Sequence, residues 1–248
     1  MRLLVVGGAG AVGTMTLPHL AAQHAVTVLD PRPPAPGPWS HRPGSALDME
    51  AVADAARDAD ALVYMAMGPV DGWGSPQNVR SHFDISVTGA HLALWAAASA
   101  GVRRAVLTSS MSVYRDPDRA PYPDESVPPD ASDFYGVTKR CAEVVASAAA
   151  AEWGMDIVVL RLCLPTPDDQ YPLQNRSEND RTIATSARDT ARAILAALRY
   201  QGAGFDAFTI SGDHRQRIAP IDKARRLLGW EPLDHSTDPE EDSHDPAL

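Results

Sequence analysis

The feature that most restricts the fold of this sequence is a set of spaced glycines directly after a short apolar run. The run is residues 3–6, and the segment that follows reads Gly7-Gly8-Ala9-Gly10-Ala11-Val12-Gly13. At this spacing the first glycine permits a tight turn, the second lets a phosphate approach the backbone, and the third lets a helix pack on a strand. Free amides at the start of such a helix attract a pyrophosphate. The segment therefore predicts a dinucleotide-binding strand–turn–helix unit with contacts from Gly7, Gly10, Ala11, Val12 and Gly13.

Short apolar runs alternate with longer amphipathic or alanine-rich stretches along most of the chain. This alternation is typical of βαβ units, and the mostly continuous apolar runs are expected of parallel strands covered on both faces. We therefore predict an α/β fold, a Rossmann-type doubly wound parallel sheet with a small C-terminal substrate-binding portion. The predicted strands are residues 3–6, 26–29, 61–65, 105–108, 157–160 and 207–210, with another at 45–47 placed by position alone. The predicted helices are residues 11–23, 49–58, 78–100, 133–152 and 186–199.

A chain of 248 residues is long enough for one large domain, and no sequence boundary divides it. We predict a single NAD(P)-binding Rossmann domain over residues 1–233. Six prolines in residues 31–43 predict a loop or an extended linker. Residues 68–80 and 165–183 are predicted substrate-side loops, because each follows the carboxyl end of a strand, where open α/β sheets bind ligands. Residues 234–248 carry six carboxylates and no Lys or Arg, which predicts a disordered acidic tail.

Asp30 ends the second predicted strand, 20 residues beyond Gly10. A carboxylate at this place accepts hydrogen bonds from ribose hydroxyls and repels a 2′-phosphate, which favours NAD over NADP. Arg32 is close enough to accommodate that phosphate, so NADP stays open as the cofactor. The alternative for Arg32 is a solvated side chain or one stacked on the adenine.

Tyr135 and Lys139 form a Tyr-x-x-x-Lys pair in a predicted helix. Residues four apart share a helix face, so the lysine ammonium is expected near the phenol, where a positive charge favours the phenolate. Such a tyrosine can exchange a proton with a substrate hydroxyl or carbonyl. A Tyr-x-x-x-Lys pair alone is common by chance, and the hypothesis depends on its context.

That context is the block Leu107-Thr108-Ser109-Ser110-Met111-Ser112-Val113-Tyr114 at the end of the fifth predicted strand. Together with the glycine segment and the Tyr-Lys pair, it resembles the extended short-chain dehydrogenase/reductases, the sugar epimerase and dehydratase relatives, over about residues 2 to 232. The resemblance implies a catalytic set of Ser110, Tyr135 and Lys139. Ser109 and Ser112 are the alternative serines, with capping or supporting roles.

The resemblance also implies further contacts with the cofactor and the substrate. Tyr135 and Lys139 are expected to contact the cofactor as well, and the other implied cofactor contacts are Ala46, Met65, Ala66, Met67 and Leu162. The implied substrate contacts are Ser110, Met111, Ser112 and Tyr135. The sequence departs from the family pattern at Ser45-Ala46, at Tyr64-Met65-Ala66-Met67 and at Ser86, where the family usually has asparagine.

Two arginines of the second substrate-side loop, Arg176 and Arg181, are candidates for binding a substrate carboxylate or phosphate, because a guanidinium donates two parallel hydrogen bonds. The alternative is that they are solvated or paired with nearby acidic residues. The brevity of the chain favours a smaller substrate than a nucleotide sugar. A faint likeness to uronate dehydrogenases at residues 161–167 points the same way.

The remaining sequence features exclude several function classes. Two cysteines, Cys141 and Cys163, and scattered histidines predict neither a disulfide framework nor a metal site. No apolar run approaches the ~20 residues of a membrane span, and no basic stripe suggests a nucleic-acid partner. We expect a cytoplasmic protein whose partners are a small-molecule substrate and, as one option, a second copy in a homodimer.

The leading functional hypothesis is an NAD(P)-dependent oxidoreductase, with NAD preferred, that transfers hydride at a secondary alcohol or ketone of a sugar-like or natural-product substrate. The alternatives are an epimerase or dehydratase that retains its NAD and a non-catalytic dinucleotide-sensing regulator.

Overall fold

The computed structural model of the protein describes residues 1–115 and 121–234, so the predicted acidic tail beyond Asp234 lies outside the described residues. Seven of its nine strands form one parallel sheet and the other two form a short parallel pair. In chain order the strands are β1 (Arg2–Val6), β2 (Ala25–Leu29), β3 (Trp39–Arg42), β4 (Ala61–Tyr64), β5 (Arg104–Ser110), β6 (Asp156–Leu162), β7 (Pro165–Thr166), β8 (Thr185–Ser186) and β9 (Phe205–Ile210). The large sheet has the order β3-β2-β1-β4-β5-β6-β9, and the predicted Rossmann-type fold is confirmed.

Helices cover both faces of the sheet. They are α1 (Ala11–Ala21), α2 (Met49–Ala56), α3 (Pro76–Phe83), α4 (Ala90–Ser99), α5 (Phe134–Trp153), α6 (Glu178–Ile183) and α7 (Ala187–Arg199). One apolar core lies between the sheet and α2, α4 and α5, and the other lies between the sheet and α1 and α7. Because both faces are buried, the strands read as continuous apolar runs, as expected from the sequence.

Local sequence signals set the starts of the helices that carry the site. The Asp133 side chain accepts from the Gly136 amide and starts α5, while Ser75 accepts from the Asn78 amide and starts α3 with a proline in its first turn. These are the N-cap arrangements that satisfy otherwise unpaired amides. The predicted helix over residues 78–100 is one uninterrupted helical stretch in the structure. A π-helical segment (Asp84–Gly89) lies within it, between α3 and α4.

The predicted position of the third strand is wrong. The strand lies at 39–42, inside the proline-rich segment predicted as a loop, and residues 45–47 belong to the turn before α2. Prolines occupy residues 38 and 43 but none of the four residues between them, so each of these has an amide available for pairing with β2. At the edge of the sheet the strand needs partners on one side only, which makes its flanking prolines tolerable.

The two predicted substrate-side loops are partly regular. α3 begins at Pro76, so only the first part of residues 68–80 is a loop. Residues 165–183 contain β7, a short 3₁₀ turn and α6. Ser177 accepts from the Asp180 amide and so supplies a cap that starts α6, a local signal that the sequence interpretation did not use.

Candidate active site

The glycine segment forms the turn between β1 and α1. Gly7 has a φ of +86°, and a Cβ there would lie 2.4 Å from the backbone of Ala66. A Cβ on Gly13 would lie 2.3 Å from the Gly8 carbonyl oxygen. Both positions therefore require glycine for conformation or close packing. Gly10 differs, because a Cβ there would meet only the Gly7 oxygen, at 3.2 Å.

The start of α1 fits a pyrophosphate group. Gly10 is its N-cap and supplies no side-chain hydrogen bond. The first-turn amides of Ala11, Val12 and Gly13 have no acceptor within an α-helix, and the helix dipole adds positive potential at this end. Unpaired amides at the start of a helix, beside a glycine that carries no side chain, form the usual anion site of a helix N-terminus.

Asp30 links the end of β2 to the glycine turn. Its buried carboxylate accepts from the Ala9 amide through Oδ2 and from the Arg32 amide through Oδ1, both at 3.0 Å. Each carboxylate oxygen has a further lone pair, so the group can still accept from a ribose hydroxyl. The exposed Arg32 side chain donates to the Ala9 carbonyl at 3.2 Å, so it lies across the same turn.

Tyr135 and Lys139 lie on the first turns of α5, beside the end of β5. Lys139 is buried, its Nζ donates to the Thr108 carbonyl at 3.1 Å, and the same atom lies 5.8 Å from the centre of the Tyr135 ring. The two side chains therefore share one helix face, and their catalytic pairing stays a prediction. Gly136 brings this helix close to the turn after β5, since a Cβ there would lie 2.2 Å from the Ser112 carbonyl oxygen.

Ser110 is the last residue of β5 and starts a 3₁₀ turn (Met111–Val113). Its Oγ accepts from the Ser112 amide at 3.1 Å and lies 3.1 Å from the Ser112 Oγ. Met111 is buried in this turn. The turn therefore places the predicted serine, its neighbour and the start of α5 together.

A buried polar network supports this arrangement from inside the protein. Glu143 lies one turn beyond Lys139 on α5 and pairs with Arg161 of β6. The Ser109 hydroxyl donates to the Glu143 carboxylate at 2.7 Å, and Arg161 also donates to the Tyr114 hydroxyl at 2.7 Å. Burial raises the pKa of Tyr114 to about 12. The sequence interpretation missed Glu143, although its spacing of four from Lys139 continues the polar face that begins at Tyr135.

Another cluster absent from the sequence predictions lies above α5. Trp73, in the loop after β4, packs against Phe134 and Tyr135 with ring centres 4.8 and 5.4 Å apart. It also meets buried His82 edge-on at 5.1 Å. Burial lowers the pKa of His82, and the nearby Lys139 lowers it further, while a hydrogen bond to the Pro69 carbonyl opposes both. The only sequence signal was the pattern Gly-Trp-Gly at 72–74.

The combination of a glycine turn, a buried lysine beside a tyrosine, and a serine turn at the same edge of the sheet matches a known family. A model of the NAD dependent epimerase/dehydratase family matches residues 3–185. The chain belongs to this family. The family resemblance stated from the sequence is therefore confirmed, and the chain is an enzyme.

Relatives in the family include dehydrogenases and epimerases. L-arabinose 1-dehydrogenase (NAD(P)(+)) from Haloferax volcanii is 24% identical, over 95% of this chain and 97% of its own length. UDP-glucose 4-epimerase from Streptomyces lividans is 30% identical, over 63% of this chain and 50% of its own length. The chain thus spans about half of that epimerase.

The fold is also that of solved relatives. A short-chain dehydrogenase/reductase superfamily protein from Agrobacterium tumefaciens with bound NAD has a TM-score of 0.78 at 23% identity, covering 94% of this chain and 93% of that one. Because the matched family is described as NAD dependent, the predicted NAD cofactor is confirmed at the level of the family.

The other residues predicted to contact the cofactor differ in how far they are buried. Met65 is buried, and Ala66 and Met67 follow it along the loop after β4, where Ala66 packs on the glycine turn. Leu162 is buried at the end of β6. Ala46 is buried in the turn before α2, where it would contact a Cβ placed on Gly89, rather than in a third strand. Their cofactor contacts stay predictions.

Arg176 and Arg181 are both exposed, the first just before α6 and the second within it. Their role in binding substrate stays a prediction. Within residues 1–115 and 121–234, no cluster of His, Cys, Asp and Glu has the makings of a metal site, and Cys141 and Cys163 are free. No helix in this described part is long and apolar enough to cross a membrane.

Proposed function

We propose that this enzyme is an NAD-dependent dehydrogenase that oxidises a secondary alcohol of a monosaccharide or sugar acid. The observation that carries the proposal is the position of Tyr135 and Lys139, held beside the serine turn at the end of β5. Those three predicted catalytic positions and the glycine turn lie at the carboxyl edge of one parallel sheet, where this fold class binds ligands.

The glycine turn and Asp30 are the residues that would hold the cofactor, through the open amides of α1 and the buried carboxylate. When bound, NAD would supply the hydride acceptor, so the H–C–OH group of the substrate and NAD⁺ would give a carbonyl group, NADH and a proton. Asp30 favours NAD because its charge repels a 2′-phosphate, while Arg32 keeps NADP as a weaker cofactor.

Tyr135 accepts the proton of the substrate hydroxyl as the carbon–oxygen double bond forms. The Lys139 ammonium stabilises the phenolate electrostatically and is itself kept in place by the Thr108 carbonyl. Ser110 donates a hydrogen bond to the reacting oxygen and so orients the carbon that loses hydride. Met111, Ser112 and the arginines at 176 and 181 complete the proposed substrate contacts.

The relatives support a dehydrogenase acting on a small sugar. The one that matches along nearly its full length is an arabinose dehydrogenase, and a glucuronic acid dehydrogenase from Chromohalobacter salexigens has the same fold. An epimerase that retains its NAD is the second candidate, because the UDP-glucose 4-epimerase reaches 30% identity.

The test is an assay of NADH formation by the purified protein with NAD and L-arabinose, D-glucuronate, D-galacturonate or UDP-glucose. We expect net NADH with a free sugar or sugar acid. Conversion of UDP-glucose to its epimer without net NADH would establish the epimerase instead, and NAD binding without turnover would favour a regulator. Tyr135→Phe should lower kcat by about 10²- to 10⁴-fold with an unchanged Kd for NAD. A Tyr135→Phe variant with wild-type turnover would contradict the assignment.

Two further predictions, on oligomeric state and location, belong to the same proposal. The proposed homodimer rests on exposed apolar side chains of two helices that pack on each other, Trp95 of α4 and Val144 of α5, which a second copy would cover. Sedimentation of the wild type and of Val144→Asp would test it, with a shift to monomer expected for the variant. The free thiols of Cys141 and Cys163 fit the predicted cytoplasmic location.

A further inference from the structure

The loop between β4 and α3 (residues 65–75) carries exposed apolar side chains beside the proposed active site. Three of the ten large apolar side chains that are exposed in the described part of the chain belong to it, namely Met67, Val70 and Trp73. The Trp73 residue is 51% exposed although it contacts three aromatic rings. Of these three side chains, Trp73 packs against Tyr135, so it is the one best placed to contact a substrate there.

A buried asparagine holds this loop in one conformation. Asn78 donates through Nδ2 to the carbonyls of Pro69 and Asp71, at 2.6 and 3.1 Å, and its Oδ1 accepts from the Gly74 amide at 3.3 Å. Ser75 closes the loop as the cap of α3. The hydrogen bonds of one buried side chain thus fix both the start and the end of the loop.

The glycines on either side of Trp73 determine how the backbone positions its side chain. Gly72 and Gly74 have φ values of +69° and +78°, which side chains other than glycine rarely adopt. Packing does not require them to be small, since a Cβ would approach nothing closer than the Ser75 Oγ at 3.4 Å and the Phe134 ring at 4.0 Å. The glycines therefore set the backbone path that places the indole.

The indole stands beside the catalytic phenol. Its ring centre is 5.4 Å from that of Tyr135, with 48° between the two planes, and 4.8 Å from that of Phe134. The edge of His82 supports it further. One part of the tryptophan is therefore fixed against α5, and the other part is open to solvent beside Tyr135.

We propose that the exposed part of Trp73 is a stacking surface for the saturated ring of the substrate, a sugar ring in its closed form. This inference rests on the proposed function and names Trp73 as the side chain that contacts the sugar ring. A closed sugar ring has a face of C–H groups that packs on an aromatic π-surface, while its hydroxyls point to the rim. That contact buries apolar surface on both partners and leaves one hydroxyl for Tyr135 and Ser110.

The test compares Trp73→Ala, Trp73→Phe and Val70→Ala with the wild type, using L-arabinose and D-glucuronate. Val70 is 64% exposed on the same loop, so its truncation controls for disturbance of the loop. We expect KM to rise about 10-fold or more in Trp73→Ala and less in Trp73→Phe, which keeps an aromatic face. Val70→Ala should match the wild type, and all variants should keep the wild-type Kd for NAD.

Calorimetry measures sugar binding by Trp73 in a variant that should barely turn the sugar over. D-glucuronate and L-arabinose are titrated into NAD-loaded Tyr135→Phe with and without Trp73→Ala. An affinity about 10-fold weaker in the double variant supports the proposal even if the wild type forms no net NADH. Equal sugar affinities, or no sugar binding by either protein, would overturn it. A weaker Kd for NAD in Trp73→Ala would also overturn it, because the indole would then contact the cofactor.

Discussion

Arg161 and Glu143 form a two-fold ion pair inside the protein. The arginine Nε donates to Oε1 at 3.0 Å, and Nη2 donates to Oε2 at 2.7 Å. Both side chains are buried, so neither charge can exchange its partner for water. Because Glu143 is on α5 and Arg161 is on β6, the pair fixes the helix that carries Tyr135 to the sheet.

Glu143→Gln should destabilise the protein strongly. The amide keeps the size of the side chain but leaves the Arg161 charge buried without a counter-charge, which costs about 3–5 kcal/mol. Urea unfolding of both proteins measures the difference. Glu143→Leu combined with Arg161→Met removes both charges and should be less destabilised than the single variant. A single variant within about 1 kcal/mol of wild type would show that water compensates the arginine.

The sequence predicted those parts of the site whose positions depend on residues close together in the chain. The glycine turn follows β1 directly, and Tyr135 and Lys139 are one helical turn apart, so their relative positions depend on local geometry alone. Asp30 was predictable for the same reason, as the last residue before a loop.

Tertiary contacts decided what the sequence did not predict. The spacing placed Glu143 on the right face, but only the approach of β6 supplies the arginine that allows a buried carboxylate. Trp73 is a single tryptophan in a glycine-rich loop, and its position beside Tyr135 depends on the Asn78 hydrogen bonds. The edge strand at 39–42 is short and half exposed, so no apolar run marked it.

Substitutions at Gly10 and Gly13 should distinguish the effect of the turn on NAD binding from its effect on stability. Gly13→Ala places a methyl group against the Gly8 backbone and should cost about 1–3 kcal/mol of stability. Gly10 has a φ of −79°, which alanine adopts, and a Cβ there would press only on the Gly7 carbonyl oxygen, at 3.2 Å, so Gly10→Ala should lose less stability than Gly13→Ala. Its methyl group would stand where the phosphates approach, and we expect the Kd for NAD to rise about 10-fold. Calorimetric NAD affinity and thermal melting measure the two effects, and wild-type NAD affinity in Gly10→Ala would place the phosphates elsewhere.

His82 should make stability depend on pH. Burial lowers its pKa from 6.5, so below that pH the unfolded chain takes up a proton that the folded protein resists. The stability contributed by the neutral imidazole is therefore complete above about pH 6.5 and is lost as the pH falls through the folded pKa. His82→Phe keeps an aromatic ring beside Trp73 and Phe134 and should lose less stability between neutral and mildly acidic pH than the wild type does. Parallel slopes of unfolding free energy against pH would rule out His82 as the source.

Asp30 should set the choice between NAD and NADP. Asp30→Asn keeps the shape of the side chain and one oxygen for the Ala9 or Arg32 amide, but it removes the charge that repels a 2′-phosphate. The ratio of NAD to NADP affinity should fall about 10-fold, equivalent to about 1.4 kcal/mol. Titration with each cofactor measures the ratio directly. Arg32→Ala is the matched control, because loss of its charge should move the ratio the opposite way. If Asp30→Asn leaves the ratio unchanged while Arg32→Ala alters it, the carboxylate only anchors the glycine turn. The arginine alone then determines the preference between NAD and NADP.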